Sequence, residues 1–261
     1  MKHIFINIIW VFLSGLYTCL WGAFKDSPYE GFKPKTFPRS ILFSAIILCI
    51  LLVLRKSDVL EAPATVIFFW VMGLERFSSE IYKGFFRVED QSKYFIPSRM
   101  SFFGRFVQSE FLRYGVGLFL LGLILLLQSL DMQVTLFWQF ALISYLTGLS
   151  VAFGGAYKDA PFEGFDWIKF QRSGLVLLIC APLFYMMGPL SLGMLVFMNI
   201  GLERFLVEYY KTYIQRNMSG KFLPDTKRIQ KHLDSREVFH YAALIIIVLV
   251  GGMYLYDLKV F

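Results

Sequence analysis

The chain carries WGAFKDSPYEGF at 21–32 and, 133 positions later, GGAYKDAPFEGF at 154–165, identical at 8 of 12 positions. A second block, GLERFSSEIYK at 73–83, returns as GLERFLVEYYK at 201–211, identical at 8 of 11. Each copy of the first block leads into Phe-x-Arg-Ser, at Phe37–Ser40 and Phe170–Ser173. Each copy of the second leads to a Lys, an aromatic and a Pro, at Lys93, Tyr94, Pro97 and at Lys221, Phe222, Pro224. Self-similarity at a fixed long period marks a duplicated structural unit, and it sets how everything else in the chain is counted.

Around these blocks the sequence is a succession of apolar runs. Of 261 residues, 57 % are hydrophobic, 18 % aromatic and only 17 % charged, and the mean hydropathy is +0.58. A soluble domain carries about a quarter charged residues. Disorder, a fibrous repeat and a disulfide scaffold are excluded. A membrane-crossing helix needs about 20 mostly apolar residues. Eight segments meet or approach that length: 4–23, 40–55, 60–82, 112–129, 133–155, 174–188, 190–211 and 238–256. The second and sixth are short, and the sixth contains Pro182 and stops at Gly188-Pro189. The expected fold is an all-α polytopic membrane protein of eight transmembrane helices, built by tandem, parallel duplication of a four-helix unit. The units are 1–129 and 130–261. Because four is even, both copies enter the membrane in one orientation, related by an axis along the membrane normal. Met1-Lys2-His3 before an apolar run has the look of a secretory signal. No small-residue cleavage site follows, and the run has a counterpart deep in the chain, so it belongs to the fold.

Lys and Arg number 26 against 19 acids, a formal charge of +7. Twenty of these cations fall in the loops after spans one, three, five and seven, four fall on the opposite side, and Arg76 and Arg204 lie within helices. The positive-inside rule places the basic loops in the cytoplasm and both termini on the non-cytoplasmic side of a plasma (inner) membrane. No basic helix or glycine-and-aromatic module points to nucleic acid. Cys19, Cys49 and Cys180 sit in apolar runs and read as small buried hydrophobes. His3, His232 and His240 lack metal-ligand spacing.

The repeated polar residues carry the candidate chemistry. Arg76, Glu80 and Lys83 fall on one helical face late in the third span, as do Arg204, Glu208 and Lys211 late in the seventh. Glu75 and Glu203 occupy a neighbouring stripe with Tyr82 and Tyr210. Ionisable groups at this depth are costly and should face the bundle, a wet cavity or each other. Either they brace the helices as ion pairs, or they form a substrate or ion path. The first block places Lys25, Asp26 and Glu30 in a compact loop followed by Arg39, and Lys158, Asp159 and Glu163 in another followed by Arg172. Two acids beside Lys and Arg suit Mg²⁺ with a phosphate; they equally suit a polar turn in which Gly31 takes a left-handed position. Phe32, Phe37, Phe165 and Phe170 read as interface anchors. The basic, aromatic segments 85–111 and 213–236 read as amphipathic helices on the cytoplasmic leaflet, in contact with anionic lipid.

No Walker A, dinucleotide fingerprint, HExxH or GxSxG is present. Three functions fit. The first is a transporter or channel for a small anionic or zwitterionic solute, using the Glu-Arg residues of both repeats and no cofactor. The second is an Mg²⁺-dependent membrane enzyme acting on a phosphorylated lipid or nucleotide-linked headgroup, with Asp26, Glu30, Asp159 and Glu163 as metal ligands. The third is a non-catalytic subunit whose basic loops dock a soluble partner. A homo-oligomer fits any of them. Architecture favours the first, since a path between two like halves draws on both copies.

Overall fold

The computed structural model describes residues 2–88, 90, 99–102, 105–216, 233 and 235–260; the side chains of 2–4, 30, 162, 163 and 260 lie outside the description. The long elements are helices: α1 (Lys2–Glu30), α2 (Arg39–Leu54), the short α3 (Lys56–Glu61), α4 (Ala64–Ile81), α5 (Glu110–Ser129), α6 (Phe137–Glu163), α7 (Trp167–Tyr185), α8 (Leu192–Glu203) and α9 (Glu237–Val260). Two-residue strands β1 (Ser101–Phe102) and β2 (Arg105–Phe106) pair antiparallel, as do β3 (Gln133–Val134) and β4 (Leu190–Ser191).

Five of the described helical stretches are long and apolar enough to cross a membrane: Phe5–Tyr29, Glu110–Ser129, Phe137–Pro161, Trp167–Tyr185 and Glu237–Lys259. They make this a multi-pass membrane protein. Their outer faces are large and apolar, with Phe12, Phe111, Phe119, Ile179 and Val248 exposed, as surfaces in contact with lipid rather than water must be. The eight expected segments all form helix, but three fall short of that test. The α2 helix has 16 residues. The α4 and α8 helices carry the Glu-Arg motifs, and the other helices wrap them. In α4, Val66, Ile67, Phe68, Trp70, Val71 and Met72 are all fully buried. The sixth segment is longer than its apolar run suggests, because α7 starts at Trp167, capped by the Asp166 carboxylate accepting from Ile168 and Lys169.

The α4 and α8 helices cross at Gly73 and Gly201. A Cβ on Gly73 would stand 2.7 Å from the Phe197 carbonyl carbon, and one on Gly201 would stand 2.9 Å from that of Phe69. Only glycine lets the two backbones touch here. Gly15 of α1 and Gly148 of α6 play the same part against the helices that follow them: an added Cβ would lie 2.6 Å from the Cα of Ile41 and of Gly174 respectively. The α9 helix packs along α1 and α4. The α5 helix leans on the end of α4 and on α8, and among the described residues it makes no comparable packing with α6.

At the end where α4 and α8 begin, polar ties close the bundle. Asp257 of α9 accepts from the Thr65 backbone N–H at 2.9 Å, placing a carboxylate on the first turn of α4. Arg55 bridges Asp58 and Asp131. Burial works against its charge, but the hydrogen bonds it donates to the two carboxylates, and their negative charges, outweigh that and raise its pKa. Inside, the Trp70 indole N–H donates to the Gln128 Oε1 at 2.8 Å. Gln128→Met should strand that donor and lower stability by about 1–3 kcal/mol; an unchanged thermal midpoint in detergent would count against the bond's contribution.

Two expectations need correction. The acidic blocks are not loops but the last turns of helices. The α1 helix continues through Pro28 to Glu30 and α6 through Pro161 to Glu163. Gly31 (φ 74°) and Gly164 (φ 81°) then end them with a positive φ that favours glycine. Of segment 85–111, the described part is a helix end at Phe86 and the β1–β2 hairpin rather than an amphipathic helix. The segment 213–236 falls mainly outside the described residues. The phenylalanines flanking the glycines pack on one another, Phe32 on Phe37 at 5.4 Å and Phe165 on Phe170 at 5.5 Å between ring centroids.

Candidate functional site

The Gly73–Gly201 crossing sets the site. Just beyond it the two Glu-Arg motifs meet and pair across the contact: Arg204 with Glu75, and Arg76 with Glu203. The pairing is reciprocal, each helix giving one acid and one base. Both glutamates are buried, and Glu203 also accepts from the Ser173 hydroxyl at 2.7 Å. Unpaired charges at this depth would be severely penalised, so each residue depends on its opposite number.

Past the pairs, both helices widen. From Tyr82 to Phe86 one continues as π-helix, and from Arg204 to Glu208 and Tyr210 to Ile214 so does the other. Such wide turns occur often at functional sites because they shift side chains off the regular stripe. Here they build a second charged layer. Glu208 lies 3.9 Å from Lys25 and 3.7 Å from Lys211. Glu80 accepts from Lys83 at 2.9 Å and sits in the field of Lys158. Again a residue of the first block in one half faces the second block of the other.

Trp21 ties the layers together on one side. Its indole N–H donates to the Thr212 hydroxyl at 2.7 Å, and its ring lies 5.3 Å from the Arg204 guanidinium carbon and 5.1 Å from the Lys25 ammonium. Beside it, the Tyr17 hydroxyl donates to the Phe205 carbonyl at 2.9 Å.

These groups line a single cavity of about 2430 Å³. Glu75, Arg76, Glu80, Lys83, Glu203, Arg204, Glu208 and Lys211 all line it, together with Lys25, Asp26, Arg39, Lys158, Asp159 and Arg172. Two sets that look separate in the sequence therefore form one site. Glu30 and Glu163 end their helices nearby, with side chains outside the described part. Among the described residues, no three His, Cys, Asp or Glu side chains gather as metal ligands would. Counting every charged residue on the walls, twelve are Lys or Arg and seven are Asp or Glu. The cavity is a cationic environment, suited to an anion.

No family model matches the chain, nor does any curated protein or solved structure. The chemistry of the cavity must therefore be argued from its walls.

Those walls change character along their length. At the end where the helices widen they are charged. Toward the start of α8 they are Leu192 and Val196, with Leu123 and Leu127 of α5 and Ile143 of α6. Along α8 and the π-helical turns that follow it, the lining runs from Leu192 to Thr212. The residues that sequence reasoning did not single out are Trp21, Tyr17, Ser173 and Thr212. Ser173 stood within a repeated Phe-x-Arg-Ser, a signal that was there to use. Trp21 stood at one of the four positions where the two copies of its block differ.

Proposed function

We propose that the protein is a membrane transporter that takes a small anionic or zwitterionic solute into the cavity between two four-helix units, 1–129 and 130–261, with the Glu-Arg pairs on its wall. In this reading eight helices span a plasma (inner) membrane as a tandem, parallel duplication, and both termini face away from the cytoplasm. The observation that carries it is the convergence of both copies of both motifs on one cation-rich cavity. Shared glycine contacts at equivalent positions and the reciprocal ion pairs support the duplication. A shallow enzyme site would stop at the charged layer; this cavity continues beneath it along α8.

The test is flux in proteoliposomes. The probes are labelled phosphate, glutamate and glycerol 3-phosphate, plus a fluorescent phosphatidylglycerol whose transfer between leaflets is read by dithionite quenching. At least one should move faster than in empty vesicles. Lys158→Glu, a reversal at a partly exposed wall position, should slow that probe about tenfold by removing the local attraction. Protein-free rates for every probe, or an unaffected variant, would overturn the proposal.

A further inference from the structure

The two sides of the cavity are not alike. The Trp21–Thr212 hydrogen bond seals one side. At the offsets of the two repeated blocks, the corresponding residues of the other copies are Gly154 and Gly84. Both line the cavity, and a Cβ added to Gly154 would meet nothing within 4 Å. The replacement spreads outward. Phe24 and Tyr213 are buried against each other and His240, and Phe205 is buried against Tyr17. Their counterparts at the same offsets include Tyr157 and Phe77, both exposed. On the sealed side α9 lies along α1, whereas on the other side α5 stands off from α6. Leu123 of α5 and Leu146 of α6 edge this gap; both line the cavity, and they are 43 % and 50 % exposed.

We infer that the cavity opens sideways into the bilayer between α5 and α6, and that what enters is a membrane lipid with an anionic, phosphate-type headgroup. This rests on the transport reading and names its substrate class. A hydrophilic solute gains nothing from a cavity one end of which is lined by leucine, isoleucine and valine, since its polar groups would lose water there without replacement. A lipid satisfies both halves. Its tail leaves the acyl region for an apolar wall at almost no cost, and its headgroup reaches the surplus Lys and Arg of the charged end. The aromatic seal keeps the opposite side shut, so the tail has a single place to trail. Phosphate is the fitting headgroup chemistry because paired and forked cations such as Arg39, Arg172 and Lys158 match its oxygens.

The experiment uses full-length protein in phosphatidylcholine vesicles doped with phosphatidylglycerol bearing a diazirine in its acyl chain, followed by irradiation and peptide mapping. Labelling should concentrate on α5 and α6 near Leu123 and Leu146. It should be about fivefold weaker with phosphatidylcholine carrying the same photoactive chain. Giving the open side the residues of the sealed one, Gly154→Trp with Gly84→Thr, should cut labelling about fivefold. Leu146→Trp, at the exposed lip, should do the same should the glycine variants fail to fold. Equal labelling by the two lipids, or labelling spread evenly around the belt, overturns the inference. So does full competition by tail-less glycerophosphoglycerol, which would assign the site to a soluble anion. Persistent dimers whose contact shields Leu123 and Leu146 would assign the gap to a second copy and likewise overturn it. Labelling lost or absent while soluble-anion flux persists sinks the lipid portal alone. Specific labelling without flux of any probe sinks transport and leaves the portal standing.

Discussion

Glu75→Gln should destabilise the protein by about 3–5 kcal/mol, because it strands the Arg204 guanidinium in a site that water hardly reaches. Glu75 and Arg204 are both buried, and once its carboxylate partner is gone Arg204 keeps the face of the Trp21 ring and the more distant charges of Glu208 and Glu80. Glu203→Gln should cost less through Arg76, which is partly exposed, but it also weakens the acceptor for Ser173. An unfolding midpoint cannot by itself separate a brace from a site, so the exchange variant is needed. Glu75→Arg combined with Arg204→Glu restores an ion pair with its polarity reversed. If the pair only holds helices together, the exchange should recover most of the lost stability and the flux with it. If the pair is on the wall of a substrate site, stability should return while flux stays about tenfold down, because the charge pattern met by the solute is inverted. Recovery of both would sink the functional role. A silent Glu203→Gln beside a severe Glu75→Gln would sink the reciprocity between the halves.

The helical, membrane-embedded character of the chain was legible because apolar runs of about 20 residues have few other outcomes. What the runs could not show is which helices sit inside. The α4 and α8 helices are the most enclosed, yet neither reads as a span, α4 because its 18 residues hold Glu75, Arg76 and Glu80, and α8 because it runs only 12 residues before its turns widen. Block 21–32 misled for a different reason. Pro28, Gly31 and three charged residues among twelve read as a turn, but Pro28 falls in the last turn of α1 and Gly31 only ends the helix. The charges face a cavity, a tertiary fact that local pattern does not contain. The candidate residues themselves were legible, since repetition marked them. Their merging into one site was not, because Lys25 and Glu208 are brought together only when α1 meets the widened end of α8. The opening was written in the differences between the copies, Trp21 against Gly154 and Thr212 against Gly84, where attention to the identities looked past it.

Gly201→Ala and Gly73→Ala test the contact on which all of this depends. Each adds one methyl group where the backbone of the opposite helix already stands closer than any real Cβ contact, 2.9 Å and 2.7 Å from a carbonyl carbon. Backbone cannot swing aside as a flexible side chain can, so the helices must part. In a bilayer, where apolar surface is no better off against protein than against lipid, close packing supplies much of the association energy. Overpacking of this kind costs about 1–3 kcal/mol, and here it should reach the upper end, since the reciprocal ion pairs lie within one turn of the crossing and lengthen with it. The double variant should cost clearly less than the two single effects added, because the first methyl already separates the backbones that the second would strike. Gly251→Ala is the control. It lies exposed in α9, a Cβ there meets nothing within 4 Å, and replacing a helical glycine by alanine should be neutral or stabilising by a few tenths of a kcal/mol. Thermal unfolding in one detergent compares all four. Should Gly201→Ala prove as mild as Gly251→Ala, the helices would not be in backbone contact, and nothing would hold the two Glu-Arg motifs face to face.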